Sequence, residues 1–187
     1  MLSGKNIVLG VSGGIAAYKA ADIINRLKAL GANVDVIMTK NALEFITPLT
    51  LASLSKNRVV TDMFEPPVSW EIEHISLARK ADLFLIAPAT ANVIGKIANG
   101  IADDMLTTTV MATKAPIVIA PAMNDYMYEN PIVQENISRL QKLGYKFVEP
   151  DEGYLACGTT GRGKLAKPEM IVEFVADVLN GRDDREP

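Results

Sequence analysis

One cysteine and one histidine occur in the 187-residue chain, and both sit in segments that could do chemistry. Cys157 lies in EGYLACGTTGRGK (152–164), among Gly153, Gly158, Gly161 and Gly163. A lone cysteine is usually a small buried hydrophobe. Glycine clusters instead mark turning or mobile surface backbone, an unexpected place for the one thiol. His74, in WEIEHISLARKAD, follows Glu71 and Glu73, carboxylates able to raise its pKa. The competing reading is a structural or simply exposed histidine. A Cys–His nucleophilic pair is conceivable, although no local signature supports it. One His and one Cys far apart in sequence make a poor ligand set, so no metal site is expected.

Three further segments carry small and polar residues. GVSGGIA (10–16) is a glycine-rich turn whose amides could receive a phosphate. It is neither the dinucleotide fingerprint nor a P-loop, and a tight turn requiring small residues would look the same. The next strand candidate ends Met38-Thr39-Lys40, without the acid that an NAD ribose wants, which leaves a mononucleotide such as FMN open. In APATANVIGKIANGIADDMLTT (87–108), Thr90 and Asn92 could bond a planar heteroaromatic edge while Ala89 and Ala91 permit close approach. Either polar residue could equally be a helix N-cap. In PAMNDYMYENP (121–131), Asn124 offers a donor and an acceptor, and Met123, Met127, Tyr126 and Tyr128 could wall a pocket. Asn124 could also merely turn the chain.

Such groups need a frame. KNIVLGV (5–11), ANVDVIM (32–38), DLFLIAP (82–88), APIVIAP (115–121) and YKFVEP (145–150) read as short strands, mostly apolar on both faces. In two of them an Ala-Pro pair is expected to stop the ladder at the carboxyl end. Between them lie helical patterns. Residues 15–30 place Ala20, Ile23, Ile24, Leu27 and Leu30 on one stripe, with Gly31 as the stop. Further helices are expected over 90–98, 104–112 and 130–143. The last spans 168–179, with Ile171, Val172, Val175, Val178 and Leu179 on one face. Alternating strands and helices predict an α/β fold, an open parallel sheet with helices on both faces. Ligands of such sheets sit at the strands' carboxyl ends, where the small and polar segments fall.

The length suits a single domain over 1–179, with NGRDDREP (180–187) as a tail or the start of a linker. A net charge of −3 supplies no bulk basic field for nucleic acid or anionic lipid. One cysteine permits no internal disulfide and suits a reducing compartment. The N-terminus has no basic leader or cleavage site, and no apolar run is long enough to span a bilayer. A cytoplasmic setting is expected.

The segments VSGGIAAYKA, FITPLTL, HISLARKADLFLIAPATAN, PAMNDYMYENP and ACGTTGRGKL occur in one order and at intervals that resemble the flavin-dependent cysteine decarboxylase family, over about residues 4–179. Pro-x-Met-Asn and Ala-Cys-Gly are its most specific parts. The resemblance implies a Rossmann-like (flavodoxin-like) fold, FMN as cofactor, and homotrimers that often build a homododecamer with the site at a subunit boundary. It also implies a carboxy-lyase acting on 4′-phosphopantothenoylcysteine in coenzyme A biosynthesis, with a fused or separate synthetase as possible partner. By the resemblance, Ser12, Gly14, Thr39, Phe45, Ala89, Thr90, Ala91, Asn92 and Ala122 contact FMN. His74 is the base, acting on flavin bound mainly by a neighbouring subunit. Asn124 binds the substrate's carboxyl end. Cys157 is the acid on a covering loop that also brings Ala156 and Gly158 to the substrate, with the glycines as hinges and Arg162 and Lys164 as aids in holding an anion. Two departures are Asp103, where many relatives carry Asn, and Lys164, where Arg is common. Besides a more distant prenyl-transferring flavoprotein, which does not need the Ala-Cys-Gly cover, two other readings share the fold. One is an oxidative peptidyl-cysteine decarboxylase, which has no need of Cys157. The other is a non-enzymatic flavoprotein that regulates a partner, a role that goes with long acidic tails absent here.

Overall fold

The computed structural model describes residues 1–64, 72–154, 158 and 160–182. Six parallel strands form the central sheet: β1 (Asn6–Val11), β2 (Asn33–Met38), β3 (Val59–Val60), β4 (Leu83–Ala89), β5 (Ile117–Pro121) and β6 (Lys146–Phe147). Their spatial order is β3-β2-β1-β4-β5-β6. That is the 3-2-1-4-5-6 order of the doubly wound sheet; without the two-residue β3 it becomes the flavodoxin order. β1 is flanked by β2 and β4, so the chain reverses its direction of travel across the sheet there. This switch point opens a crevice at the carboxyl ends.

Both sheet faces are covered, which is why the strands are mostly apolar. On one face Ile7, Leu9 and Val11 pack with Ile23, Ile24 and Leu27 of α1 (Ala20–Ala29) and with Ile171, Phe174 and Val175 of α8 (Pro168–Leu179). The expected stripes of both helices are the observed ones. The first segment, however, starts as a separate 3-10 turn over Ile15–Lys19, and α1 ends at Gly31 with φ +89°. α2 (Pro48–Ser55) also lies on this side. On the opposite face Val8, Phe84 and Ile86 meet α4 (Ala91–Ala98), α5 (Met105–Ala112) and α7 (Pro131–Lys142), with α3 (Glu73–Lys80) beside α5. Gly10 lies close under this layer: a Cβ would stand 2.8 Å from Leu106 Cδ1 and the leucine would have to shift.

β3, α2 and α3 were not expected from the sequence, and two further features depart from expectation. Pro88 does not end β4: the register slips between Ile86 and Ala89 around a cis Ala87–Pro88 bond, and Ala89 pairs again with Pro121. A proline is tolerated at such an irregularity because the ladder asks no donor of it. The glycine-rich segment is also not a plain loop. β7 (Asp151–Tyr154) and β8 (Thr160–Lys164) form an antiparallel hairpin set apart from the main sheet. Its base rests on the short helix α6 (Asp125–Glu129) and the turn before it. Added Cβ atoms at Gly161 and Gly163 would sit 2.6 Å from Asp125 Cβ and 2.5 Å from Met123 O. These two glycines therefore serve close approach rather than hinge freedom. Among the described residues, no helix is long and apolar enough to cross a membrane.

Candidate functional site

A cavity of about 560 Å³ lies at the switch point between β1 and β4. Residues from four stretches line it, 12–19 after β1 without Ala17, 90–93 after β4 without Ala91, 122–127 after β5 without Asp125 and Tyr126, and 163–165 at the end of the hairpin, with Asn41 and Tyr154 in addition. Such a volume is ordinary for a cofactor or small-ligand site.

The floor is sewn together by hydrogen bonds between strand ends. Ser12, fully buried, donates from Oγ to Pro88 O at 2.7 Å and accepts from Thr90 N at 3.0 Å. Its backbone amide donates to the same Pro88 carbonyl at 3.2 Å. Ala122 N donates to Ala89 O, and Met123 N to Gly163 O, each at 2.9 Å. The two glycines of the turn differ. A Cβ at Gly13 would strike the Asn41 backbone at 2.6 Å, whereas one at Gly14 would meet nothing nearer than Thr90 Cγ2 at 3.8 Å. Gly13 closes the wall and Gly14 leaves room in front of it.

Of the sequence-predicted residues, Ser12, Gly14, Thr90, Asn92, Ala122 and Asn124 come together in this lining. Thr90 is also the N-cap of α4, accepting from Val93 N, so the capping alternative holds for it while Asn92 stays exposed. Asn124 likewise caps α6, its Oδ1 accepting from Tyr126 N at 3.0 Å. Ala89 is buried inside β4 and Ala91 opens α4; neither lines the cavity. Thr39 caps a 3-10 turn over Lys40–Glu44 through its bond to Ala42 N, and Phe45 follows that turn at 46% exposure, both outside the lining. Of the expected walls, Met123 and Met127 line the cavity, Tyr126 points to solvent and Tyr128 is buried elsewhere.

His74 is in the first turn of α3, on the far side of the sheet from α1, and does not line this cavity. Gly158 is described, with φ +89°, and is also outside the lining. Cys157 and Ala156, between β7 and β8 in sequence, lie outside the described residues, as do 183–187 of the expected tail. Arg162 turns away from the cavity: it pairs with Glu149 and sits 5.7 Å from the Tyr128 ring centroid. Burial pushes the Tyr128 hydroxyl above its ordinary value, aided by Glu149.

Lys19 was missed by the sequence reading. It lines the cavity together with Lys164 and donates to Leu165 O at 3.3 Å. Burial lowers its pKa, and the neighbouring Lys164 ammonium adds to the effect. The available signal was position: Lys19 falls four residues after Ile15 in the turn that opens the site. Among the described lining residues there is no carboxylate.

These residues fit a flat, anionic, heteroaromatic cofactor. The open space before Gly14, the amide of Asn92 and the absence of acid all favour it. The family model described as Flavoprotein matches residues 1–180. The coenzyme A biosynthesis bifunctional protein CoaBC of Bacillus subtilis (strain 168) is 57% identical over 93% of this chain, which covers 43% of that protein. The chain thus spans under half the length of the first curated relatives it matches. A probable phosphopantothenoylcysteine decarboxylase of Streptococcus mutans serotype c (strain ATCC 700610 / UA159) is 48% identical over 94% of this chain and 99% of its own length. Among solved structures, a PPC decarboxylase cysteine-to-serine mutant complexed with pantothenoylaminoethenethiol superposes with TM-score 0.83 at 31% identity, covering 94% of this chain and 98% of its own.

Proposed function

The chain belongs to the flavoprotein family, and on that footing we propose that it is an FMN-dependent decarboxylase converting 4′-phosphopantothenoylcysteine to 4′-phosphopantetheine in coenzyme A biosynthesis. One observation carries the reading. The turn at Gly13–Gly14, the amides of Asn92 and Asn124, and the hairpin that flanks Cys157 in sequence converge on one cavity at the switch point. The similarity to a probable phosphopantothenoylcysteine decarboxylase along its whole length adds the substrate.

Direct loss of CO2 from a cysteine carboxylate would leave a carbanion with nothing to spread its charge. Ser12, Gly14, Thr90, Asn92 and Ala122 would hold FMN, which would supply a reversible two-electron acceptor for the CH2–SH carbon and so allow a redox-neutral net reaction. Asn124 holds the substrate's carboxyl end. His74 takes the S–H proton as the C=S bond forms. That bond, β to the carboxylate, receives the electron pair released with CO2 and becomes an enethiolate. Cys157 would deliver the proton to the enethiolate as it is reduced to the saturated thiol. His74 serves a cavity of a neighbouring copy, which makes a homo-oligomer, a trimer or a dodecamer of four trimers, part of the proposal. A synthetase, fused or separate, is the partner suggested by the bifunctional relatives, and the setting is cytoplasmic.

Mass spectrometry of phosphopantothenoylcysteine after incubation with FMN-loaded protein tests this. Loss of CO2 alone is expected. Loss of CO2 plus two hydrogens would mean that the enethiol leaves unreduced, as in an oxidative peptidyl-cysteine decarboxylase. An unchanged substrate with flavin bound would sink the enzymatic reading and favour a regulatory flavoprotein. Asn124→Asp and His74→Asn variants should retain FMN and lose turnover; near-native turnover in either would remove that residue's role.

A further inference from the structure

The proposed substrate carries a phosphate monoester, and FMN carries another; this inference rests on that reading for the identity of the ligands. The chain is acidic, at net −3, yet the described residues lining the cavity carry two ammonium groups and no carboxylate. Lys19 ends the 3-10 turn that begins beside Gly14, and Lys164 ends β8. They come from opposite ends of the sequence and meet only because the hairpin base is seated on the Met123–Asp125 turn. Lys164 runs alongside Gly153 of β7, where an added Cβ would be 3.8 Å from its Nζ.

Two ammonium groups facing one cavity cost free energy. Lys19 loses hydration on burial and feels Lys164, while Asp151 and Glu169 behind it offset only part of this. An ammonium has three donors, and one from Lys19 goes to Leu165 O. A dianion in the cavity would accept from both lysines and relieve their repulsion. We propose that Lys19 and Lys164 form a phosphomonoester subsite of this cavity. Arg162, the other cation of the hairpin, takes no part, because Glu149 and Tyr128 hold it outside the lining. The subsite would select phosphorylated over unphosphorylated ligands without touching the reacting atoms.

The test compares flavin-loaded wild-type protein with Lys19→Met, Lys19→Arg and Lys164→Met variants. Calorimetry reads binding of 4′-phosphopantothenate against pantothenate, and flavin fluorescence reads retention of FMN against riboflavin. Hydrogen bonds to charged groups make the expected preference on the order of tenfold or more for the phosphorylated member of a pair. In Lys19→Met and Lys164→Met that preference should collapse, while Lys19→Arg keeps it. Collapse in the first pair assigns the subsite to substrate; collapse in the second assigns it to the cofactor's phosphate. If both preferences survive in both Met variants, the proposal is overturned. Since Lys164 is exposed, its variant remains informative should Lys19→Met fail to fold. The binding arms need no turnover. A protein that prefers the phosphorylated ligand yet leaves phosphopantothenoylcysteine unchanged would keep the subsite and lose the decarboxylase reading. With turnover, the variants should raise KM for the phosphorylated substrate and spare kcat.

Discussion

Replacing Ser12 by alanine separates a structural role from a ligand-binding one. Its Oγ bridges two strand ends, donating to Pro88 O at 2.7 Å and accepting from Thr90 N at 3.0 Å, with no solvent exposure. Two neutral hydrogen bonds contribute about 0.5–1.5 kcal/mol each, and an orphaned buried group costs about as much again. Pro88 O keeps the Ser12 amide at 3.2 Å, so only the Thr90 amide loses its acceptor. A destabilisation of about 2 kcal/mol follows. For a domain of this size that lowers Tm by roughly 4–8 °C. The assay is thermal unfolding of flavin-free protein at one fixed concentration, because both ligand and self-association would shift the midpoint. Asn92→Ala is the control: exposed in the cavity, it should stay within about 0.5 kcal/mol of wild type without flavin and bind flavin less tightly. If flavin-free Ser12→Ala melts with the wild type while its flavin affinity falls, the hydroxyl serves the ligand and the strand-bridging argument is refuted.

Gly163→Ala places a Cβ 2.5 Å from Met123 O in a backbone at φ +147°. The strain, on the order of 1–3 kcal/mol, should unseat the hairpin base rather than unfold the sheet, and be read as faster hydrogen exchange at the Met123 amide; unchanged exchange would count against the seating. Asp82 is held below its ordinary pKa of 3.8, first by the Asn6 amide at 2.8 Å and then by Lys5. Its stabilisation is therefore present above the unfolded value and is lost as pH falls through the lower folded one. Asp82→Asn should flatten the acid limb of stability, read as denaturation midpoints compared near pH 7 and pH 3.

Most of the frame was legible because the strands are buried on both faces and the helices on one. Ile23, Ile24 and Leu27 could face only a core, and Gly31 could only end a helix. β3 escaped notice since two residues, Val59 and Val60, leave no periodicity to read. The hairpin escaped because glycine carries no apolar pattern, and its Gly161 and Gly163 report contact with Asp125 and Met123, partners distant in sequence. The cavity's small and polar residues were visible at the strand ends. What Thr90 and Asn124 do with their oxygens was not, since a cap and a ligand contact ask for the same side chains. Lys19 was hidden for a different reason. Its companion Lys164 is remote in sequence, and only tertiary placement makes them a pair.

The cavity wall is assembled from residues 12–19, 90–93, 122–127 and 163–165. Five of the six strands of the main sheet, β1 to β5, are complete by residue 121, ahead of the hairpin in the chain. The hairpin must then seat itself on Met123 before the last wall exists. A chain lacking the seated hairpin would hold most of its sheet and still have no complete cavity, so ligand capture has to wait for the hairpin to dock.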